Sequence, residues 1–293
     1  MITKPIRTKY WHPGDDFLAI IVDAVASQCE NGDIIVISEK AISVATGRIV
    51  DESNVKPSLL AKELARIWTR SVWGYLLGPL CHLSDRTLRR LRHYPLPEGE
   101  VHKEIALRYV GFHQSLLYYS EGGIDVTNLP YAFAALPLPH LDELAMNLRK
   151  SLFDASRKEV TIMITDTDKT FSRNGIHLSP RPQVIEGIIS LGLFALILGR
   201  ALRWTPQATP LAVSGQPLTA EDALLVAEAA DKARGFGAGR TVWDMAKRFN
   251  VSLTDVTWEM LDRLRHYPIV LVKKGGTQTS SRFVPGQHGN CDN

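Results

Sequence analysis

The run 160–164, Val-Thr-Ile-Met-Ile, limits what this chain can fold into more than any other stretch. Short and uncharged, it reads as a buried strand. It stops just before Asp166, so a carboxylate stands at the end of a core strand, well placed to face a site. The run 33–37 reads the same way after the tight-turn pair Asn31-Gly32, and 269–272 reads as a last strand. Helical spacing fills much of the rest. Leu59, Leu60, Leu64, Ile67 and Val72 place an amphipathic helix over about 57–71, with Pro57 near its start. Leu141, Leu144, Ala145, Leu148 and Leu152 mark a second helix. Thr219 with Asp222 resembles a capping box and opens another, running to about residue 234. Further helices are predicted over 240–248 and 254–265, and paired strands at 108–110 and 115–119 around 111–114. The octets 88–95 and 261–268 echo each other; both read as helix ends stopped before proline and leading into a strand. Pro180 and Pro182 punctuate the change into the apolar run 187–199, which is too short for a membrane span of ~20 residues and fits a core segment.

Chemistry concentrates in two stretches, Gly122-Gly123-Ile124-Asp125-Val126-Thr127-Asn128 and Ile164-Thr165-Asp166-Thr167. Aspartate beside Thr and Asn oxygens is a hard ligand set, suited to Mg²⁺ or Mn²⁺ and a bound phosphate. The glycines let a ligand approach the backbone closely. Taken singly, either aspartate is served as well by an Asx turn. Lys40, after the strand 33–37, suits phosphate pairing or simple solvation at a strand end. The stretch 235–240, Gly-Phe-Gly-Ala-Gly-Arg, could cradle phosphate or form a glycine-rich helix C-cap. Trp68, Trp73 and Tyr75 could line a pocket for a flat ring or pack in the core. The nine histidines show no metal-ligand spacing, which argues against a histidine zinc site.

Charge and cysteines set outer bounds. With 34 basic and 31 acidic residues the net charge is +3, which makes no electrostatic case for a nucleic-acid or membrane surface. Cys29, Cys81 and Cys291 are scattered, as for incidental thiols in a reducing compartment. The N-terminus is no signal peptide, so the cytoplasm is the expected location.

The order of motifs is familiar. Pro13-Gly14-Asp15-Asp16, the stretch 32–40, Ser43 to Gly47-Arg48, the GGID stretch and ITDT together resemble the coenzyme F420-0:L-glutamate ligase (γ-glutamyl ligase) family, from about residue 10 to about 170. The resemblance implies an α+β fold of mixed sheets with flanking helices and an intertwined homodimer. It implies a GTP-dependent amide ligase that uses Mg²⁺ or Mn²⁺, in some members also K⁺. The substrates would be L-glutamate and a carboxylate acceptor, the phospholactate arm of a deazaflavin. Carried over, Asp125, Asp166 and Thr167 would hold metal, Asn128 would bind nucleotide, and Lys40 would bind nucleotide and act in catalysis; Lys169 for nucleotide and Arg173 for catalysis are candidates where the chain departs from the family pattern.

The pattern is broken in places. The family's usual serine before the lysine is Glu39, and its second lysine is Val44. Its Phe-Gly-Arg-Pro after ITDT is replaced by Asp168-Lys169-Thr170-Phe171-Ser172-Arg173, and a later Gly-Arg element by Gly215-Gln216. Lys169 or Arg173 would offset the missing cation. The family-like domain is expected over 1–274, divergent from about 175, followed by a disordered tail at 275–293. Two other functions compete. One is a divergent paralogue acting on another small molecule. The other is a helix-turn-helix DNA binder at 246–256, opposed by Asp255, Glu259 and Asp262 on the recognition side.

Overall fold

The computed structural model describes residues 1–118 and 121–273; the expected tail at 275–293 lies outside the described residues. The strands are β1 (Ile2–Thr8), β2 (Ile34–Ser38), β3 (Ile49–Asp51), β4 (Phe133–Ala135), β5 (Thr161–Arg173), β6 (Ile176–Ser179), β7 (Ile189–Ser190), β8 (Thr205–Ser214) and β9 (His266–Lys273). The helices are α1 (Phe17–Val25), α2 (Glu39–Ala45), α3 (Leu59–Glu63), α4 (Gly78–Leu80), α5 (Asp85–Arg92), α6 (Leu96–Tyr109), α7 (Phe112–Ser115), α8 (Leu141–Ser156), α9 (Leu193–Ala201), α10 (Ala220–Arg234), α11 (Val242–Phe249) and α12 (Trp258–Asp262). α3 continues as a π-helix over Leu64–Leu77, where the Gly78 amide donates to the Trp73 carbonyl.

The fold is α+β, with a mixed sheet in the order β1-β9-β2-β5-β6-β7, β8 also pairing with β5. β2 and β5 run parallel, and their other partners β9 and β8 are antiparallel. Both faces of the centre are covered, which is why its strands read as continuous apolar runs rather than alternating ones. Ile35, Ile37, Ile162 and Ile164 pack with α1, α2 and α8 on one face. Ile34, Val36 and Met163 pack with Ala223, Val226, Ala227 and Ala230 of α10 on the other. Pro5 is tolerated because β1 is the edge strand. β9, from the far end of the chain, lies between β1 and β2.

Several predicted elements changed. The paired strands at 108–110 and 115–119 are absent: α6 runs through Tyr109 and α7 covers Phe112–Ser115, while residue 119 lies outside the described residues. Ile105 and Ala106 of α6 are anchored on Ile124, Ala134 and Leu136, and that packing overrides a β-like local composition. The first helix begins at Leu59, capped by the Ser58 hydroxyl, and its winding continues well past residue 71. The helix read at 254–265 shrinks to α12, which starts only after Thr257, whose hydroxyl caps it through the Met260 amide, and ends before Arg263. The octet at 88–95 leads into helix α6, not a strand. The stretch 246–256 does not form a helix-turn-helix: α11 ends at Asn250, in a left-handed conformation, and α12 starts only at Trp258, whereas that motif needs a turn of about 3–4 residues.

Candidate functional site

The register of the parallel pair builds the site. Ser38 stands beside Thr165, so Glu39-Lys40 and Asp166-Thr167 follow side by side where the parallel pairing of β2 with β5 ends; β2 gives way to α2, and β5 runs on against β8. Ligands in open α/β sheets favour that edge. Beyond it β5 bulges. Asp166 pairs with Thr209 of β8 and Lys169 pairs with Ala208, so Thr167 and Asp168 are the two extra residues of the bulge. Thr167, Asp168 and Lys169 line a cavity of about 1070 Å³, together with Lys40, Asp125, Thr127 and Asn128.

Asp125 is fixed by its backbone bridge to Ala135. Its Oδ1 accepts the Thr127 amide (2.7 Å) and hydroxyl (2.6 Å), an Asx turn; its Oδ2 accepts Lys40 Nζ at 2.8 Å. Lys40 Nζ also donates to the Thr127 carbonyl and Oγ1, both at 3.1 Å. Burial alone would raise the Asp125 pKa, but the Lys40 ammonium and the Thr127 bonds outweigh it and hold the carboxyl below its ordinary value. The Asx turn and the site therefore coexist in one residue.

The other sequence-derived residues have different placements. Asn128 spends its amide on the glycine turn: Oδ1 accepts the Ala238 amide (2.6 Å) and Nδ2 donates to the carbonyls of Phe236 and Gly239. A Cβ on Gly237 would stand 2.7 Å from that Oδ1, so glycine is needed there. The turn joins the α10 C-terminus to α11, and Gly235, Gly237 and Gly239 line the cavity. Lys169 is held by Glu228 and Asp231 of α10, both at 2.9 Å. Arg173 lies at the far end of β5 opposite Ile176, exposed and outside the cavity lining. Val44, one helical turn after Lys40, is buried against Leu129 and Ala135. Trp68 and Trp73 both donate to the Leu116 carbonyl, Trp73 within the core, and Tyr75 is exposed; none of the three lines the cavity.

A model of the F420-0:gamma-glutamyl ligase family matches residues 5–208. The chain belongs to that family. It is 33% identical to "Uncharacterized protein MJ1361" of Methanocaldococcus jannaschii, across 93% of this chain and 96% of the relative. It is 24% identical to the coenzyme F420:L-glutamate ligase of Methanopyrus kandleri, across 59% of this chain and 61% of that enzyme.

Sequence reading missed two arginines of this γ-glutamyl ligase family member. Arg181, read only as part of a proline-punctuated change, is buried behind the site. It bonds Glu39 Oε2 and the Gly122 carbonyl, both at 2.8 Å, and stands 3.3 Å from Asp166 Oδ2. Burial pushes the Glu39 carboxyl up, and the Arg181 guanidinium pulls against it. Arg234, the last residue of α10, lines the cavity and reaches Thr165 Oγ1 at 3.3 Å. The family model ends before it, and no local motif marks it. His266, also on the cavity, stacks on Tyr10 at 4.5 Å. Burial pushes it down to about 4; its bond to the Lys9 carbonyl opposes that, and Lys40 and Arg234 add to it. It is neutral at pH 7, with Nδ1 donating to Lys9.

A second polar lining comes from Glu52, Tyr94, Glu98, His102 and Glu121. His102 is clamped between two carboxylates, Nδ1 on Glu52 (2.7 Å) and Nε2 on Glu121 (3.0 Å). Burial opposes its charge, yet the two glutamates raise its pKa to about 10. Lys103 Nζ bonds the other Glu121 oxygen at 2.6 Å and two carbonyls, and is fully buried. Despite its burial, Glu121 is pulled down to about 2 by Lys103 and His102.

Proposed function

We propose that this chain is a nucleotide- and divalent-metal-dependent ligase that joins L-glutamate to a carboxylate acceptor, with GTP as the phosphoryl donor. One observation carries the reading. Lys40, Asp125 and Thr167 line one cavity where the parallel pairing of β2 and β5 ends, and that cavity is larger than the roughly 300–1,000 Å³ of a single small-ligand pocket. That room suits a nucleotide and an acceptor together. The acceptor carboxylate would attack the γ-phosphorus and release GDP. The glutamate amine would then attack the acyl carbon, forming the amide and releasing phosphate. Lys40 and Arg234 would pair with phosphate oxygens, and the Tyr10–His266 stack offers a flat face to a ring.

Mg²⁺ or Mn²⁺ fits the donor set. No group of three or more His, Cys, Asp or Glu that could hold a metal exists among the described residues. Hard cations of this class are held by one or two carboxylates plus substrate phosphates, and Asp125, Asp166 and Thr167 supply oxygens of that kind. Asp166 Oδ2 is buried just behind the cavity lining and stands 3.3 Å from Arg181 Nη1, so an ion bound there would share this oxygen with the guanidinium. Such an ion neutralises charge on phosphate oxygens.

Calorimetry with Mn²⁺·GTP and Mn²⁺·ATP, followed by mass spectrometry of products from glutamate and a carboxylate acceptor, tests the reading. Binding of neither nucleotide at millimolar concentration would overturn it. Asp125→Asn and Asp166→Asn are each expected to cut turnover by at least about a hundredfold, with the fold retained at a lowered melting temperature, since each loses an ion pair. The departures at Glu39, Val44 and 168–173 favour one second reading, the same fold and chemistry serving a different acceptor. Substrate profiling separates the two.

We read the described residues as one domain, since β9 is inserted between β1 and β2. No helix among the described residues is long and apolar enough to cross a membrane, and the working compartment proposed is the cytoplasm. The assembly proposed is a homodimer. Phe194, Leu198 and Leu202 stand four apart on and just after α9, with exposures of 68%, 42% and 52%. An apolar stripe of this kind marks a contact surface. Light scattering is expected to give twice the chain mass, and Phe194→Glu with Leu198→Glu the single mass. A parent monomer at micromolar concentration would sink this assembly.

A further inference from the structure

We propose that Arg181 is a positioning residue, the buried tie that sets the three site-bearing segments against one another. Those segments are distant in sequence. Glu39 opens α2 beside Lys40, Gly122 precedes Asp125, and Asp166 precedes Thr167. One guanidinium reaches all three. Nη2 takes Glu39 Oε2, and Nη1 takes the Gly122 carbonyl and faces Asp166 Oδ2. Glu39 uses its other oxygen to accept the Leu138 amide at 2.9 Å, extending the tie toward α8.

The fit is close. A Cβ on Gly123 would lie 1.1 Å from Arg181 Nη1, and Gly123 also has φ +99°. The second glycine of the GGID stretch is therefore required by a protein side chain, whether or not a ligand is present. Arg181 itself is held in place. Its amide donates to Ser179 Oγ, its carbonyl accepts Ser190 Oγ, and Pro182 restricts its backbone. The site departure at Glu39 gains a reason, since a serine could not balance this buried cation. Arg181 is 1% exposed and outside the cavity lining, so it touches no ligand and acts through the segments it joins.

Hydrogen exchange with peptide resolution tests this without any ligand. The Thr127 amide is protected by Asp125 Oδ1 and the Thr167 amide by Asp166 Oδ1. In Arg181→Lys, exchange across 122–128 and 165–169 is expected to accelerate at least tenfold, with α8 and α10 unchanged. Uniform acceleration, or none, would overturn the proposal, because a merely stabilising ion pair acts globally. Should the lysine variant fail to fold, Glu39→Ser with Arg181→Met removes both charges and gives the same reading. A binding arm rests on the ligase reading: Mn²⁺·GTP affinity should fall more than tenfold in the double variant. Retention of parental affinity there would also overturn the proposal. If the parent binds no nucleotide, the ligase reading fails, while the exchange result still decides the role of Arg181.

Discussion

Lys103→Met is expected to destabilise the fold by about 3–5 kcal/mol, because it takes one of two cations from a buried carboxylate, leaving only the His102 imidazolium, and takes the donor from two buried carbonyls. Lys103 is fully buried, and Glu121 is 2% exposed. Removing both partners, Lys103→Met with Glu121→Gln, should recover much of the loss. Chemical denaturation measures both effects, and a single-variant loss below about 1 kcal/mol would show the pair to be weakly coupled. The same cluster sets a pH profile. Glu121 has a lowered pKa, so its contribution is complete above its ordinary 4.5 and is lost as pH falls toward about 2. His102 has a raised pKa, so its contribution is complete below its ordinary 6.5 and is lost as pH rises toward about 10. Both contributions are whole only between those ordinary values. Melting curves of the parent and His102→Gln should therefore converge at alkaline pH and diverge on acidification to pH 6. Parallel curves would remove the imidazolium from the account.

Lys40→Ala is expected to weaken nucleotide binding by roughly ten- to a hundredfold, the equivalent of one charge-assisted contact of about 1.5–3 kcal/mol. Lys169 cannot readily substitute, since Glu228 and Asp231 already hold it. Val44→Lys, a natural attempt to restore a second cation, would put a charge among Leu129 and Ala135, and should cost stability rather than add affinity. Calorimetry with GTP on the two variants checks both expectations. Parental affinity in Lys40→Ala would move the phosphate site toward Arg234.

Local motifs were legible in the sequence, and long-range pairings were not. The run 160–164 announced β5, but its continuation through Asp166, Asp168 and Lys169 did not, because a bulged strand loses the apolar pattern that reveals one. Lys40 and Asp125 each carry a recognisable neighbourhood, and the structure pairs them at 2.8 Å, a contact that neither neighbourhood signals. Arg173 is near ITDT in sequence but not in space. At about 3.3 Å per strand residue, seven residues carry it well away from Asp166 along β5. Glu39 and Arg181 meet across 142 positions, a pairing that no periodicity signals. At 108–119, Val110, Gly111 and the aromatic residues imitate a hairpin, and only the packing of α6 on Ile124 and Leu136 decides for helix.

The bulge in β5 has a parity. Two residues are added to β5 and none to β8, so the strand resumes at Lys169 with its alternation of faces preserved. Thr170 still meets Thr209 at 2.9 Å, and Phe171 still enters the cluster with Trp73 and Leu196. An insertion or deletion of a single residue between Asp166 and Lys169 would invert every side chain from there to the hairpin unless a one-residue bulge absorbed it, as happens at Leu211 of β8, which is extra between the Ile164–Ala212 and Thr165–Pro210 pairs. Changes in pairs would not invert them. The length of this segment can thus vary in even steps with the faces of the sheet kept, whereas an odd step needs a further bulge to restore them.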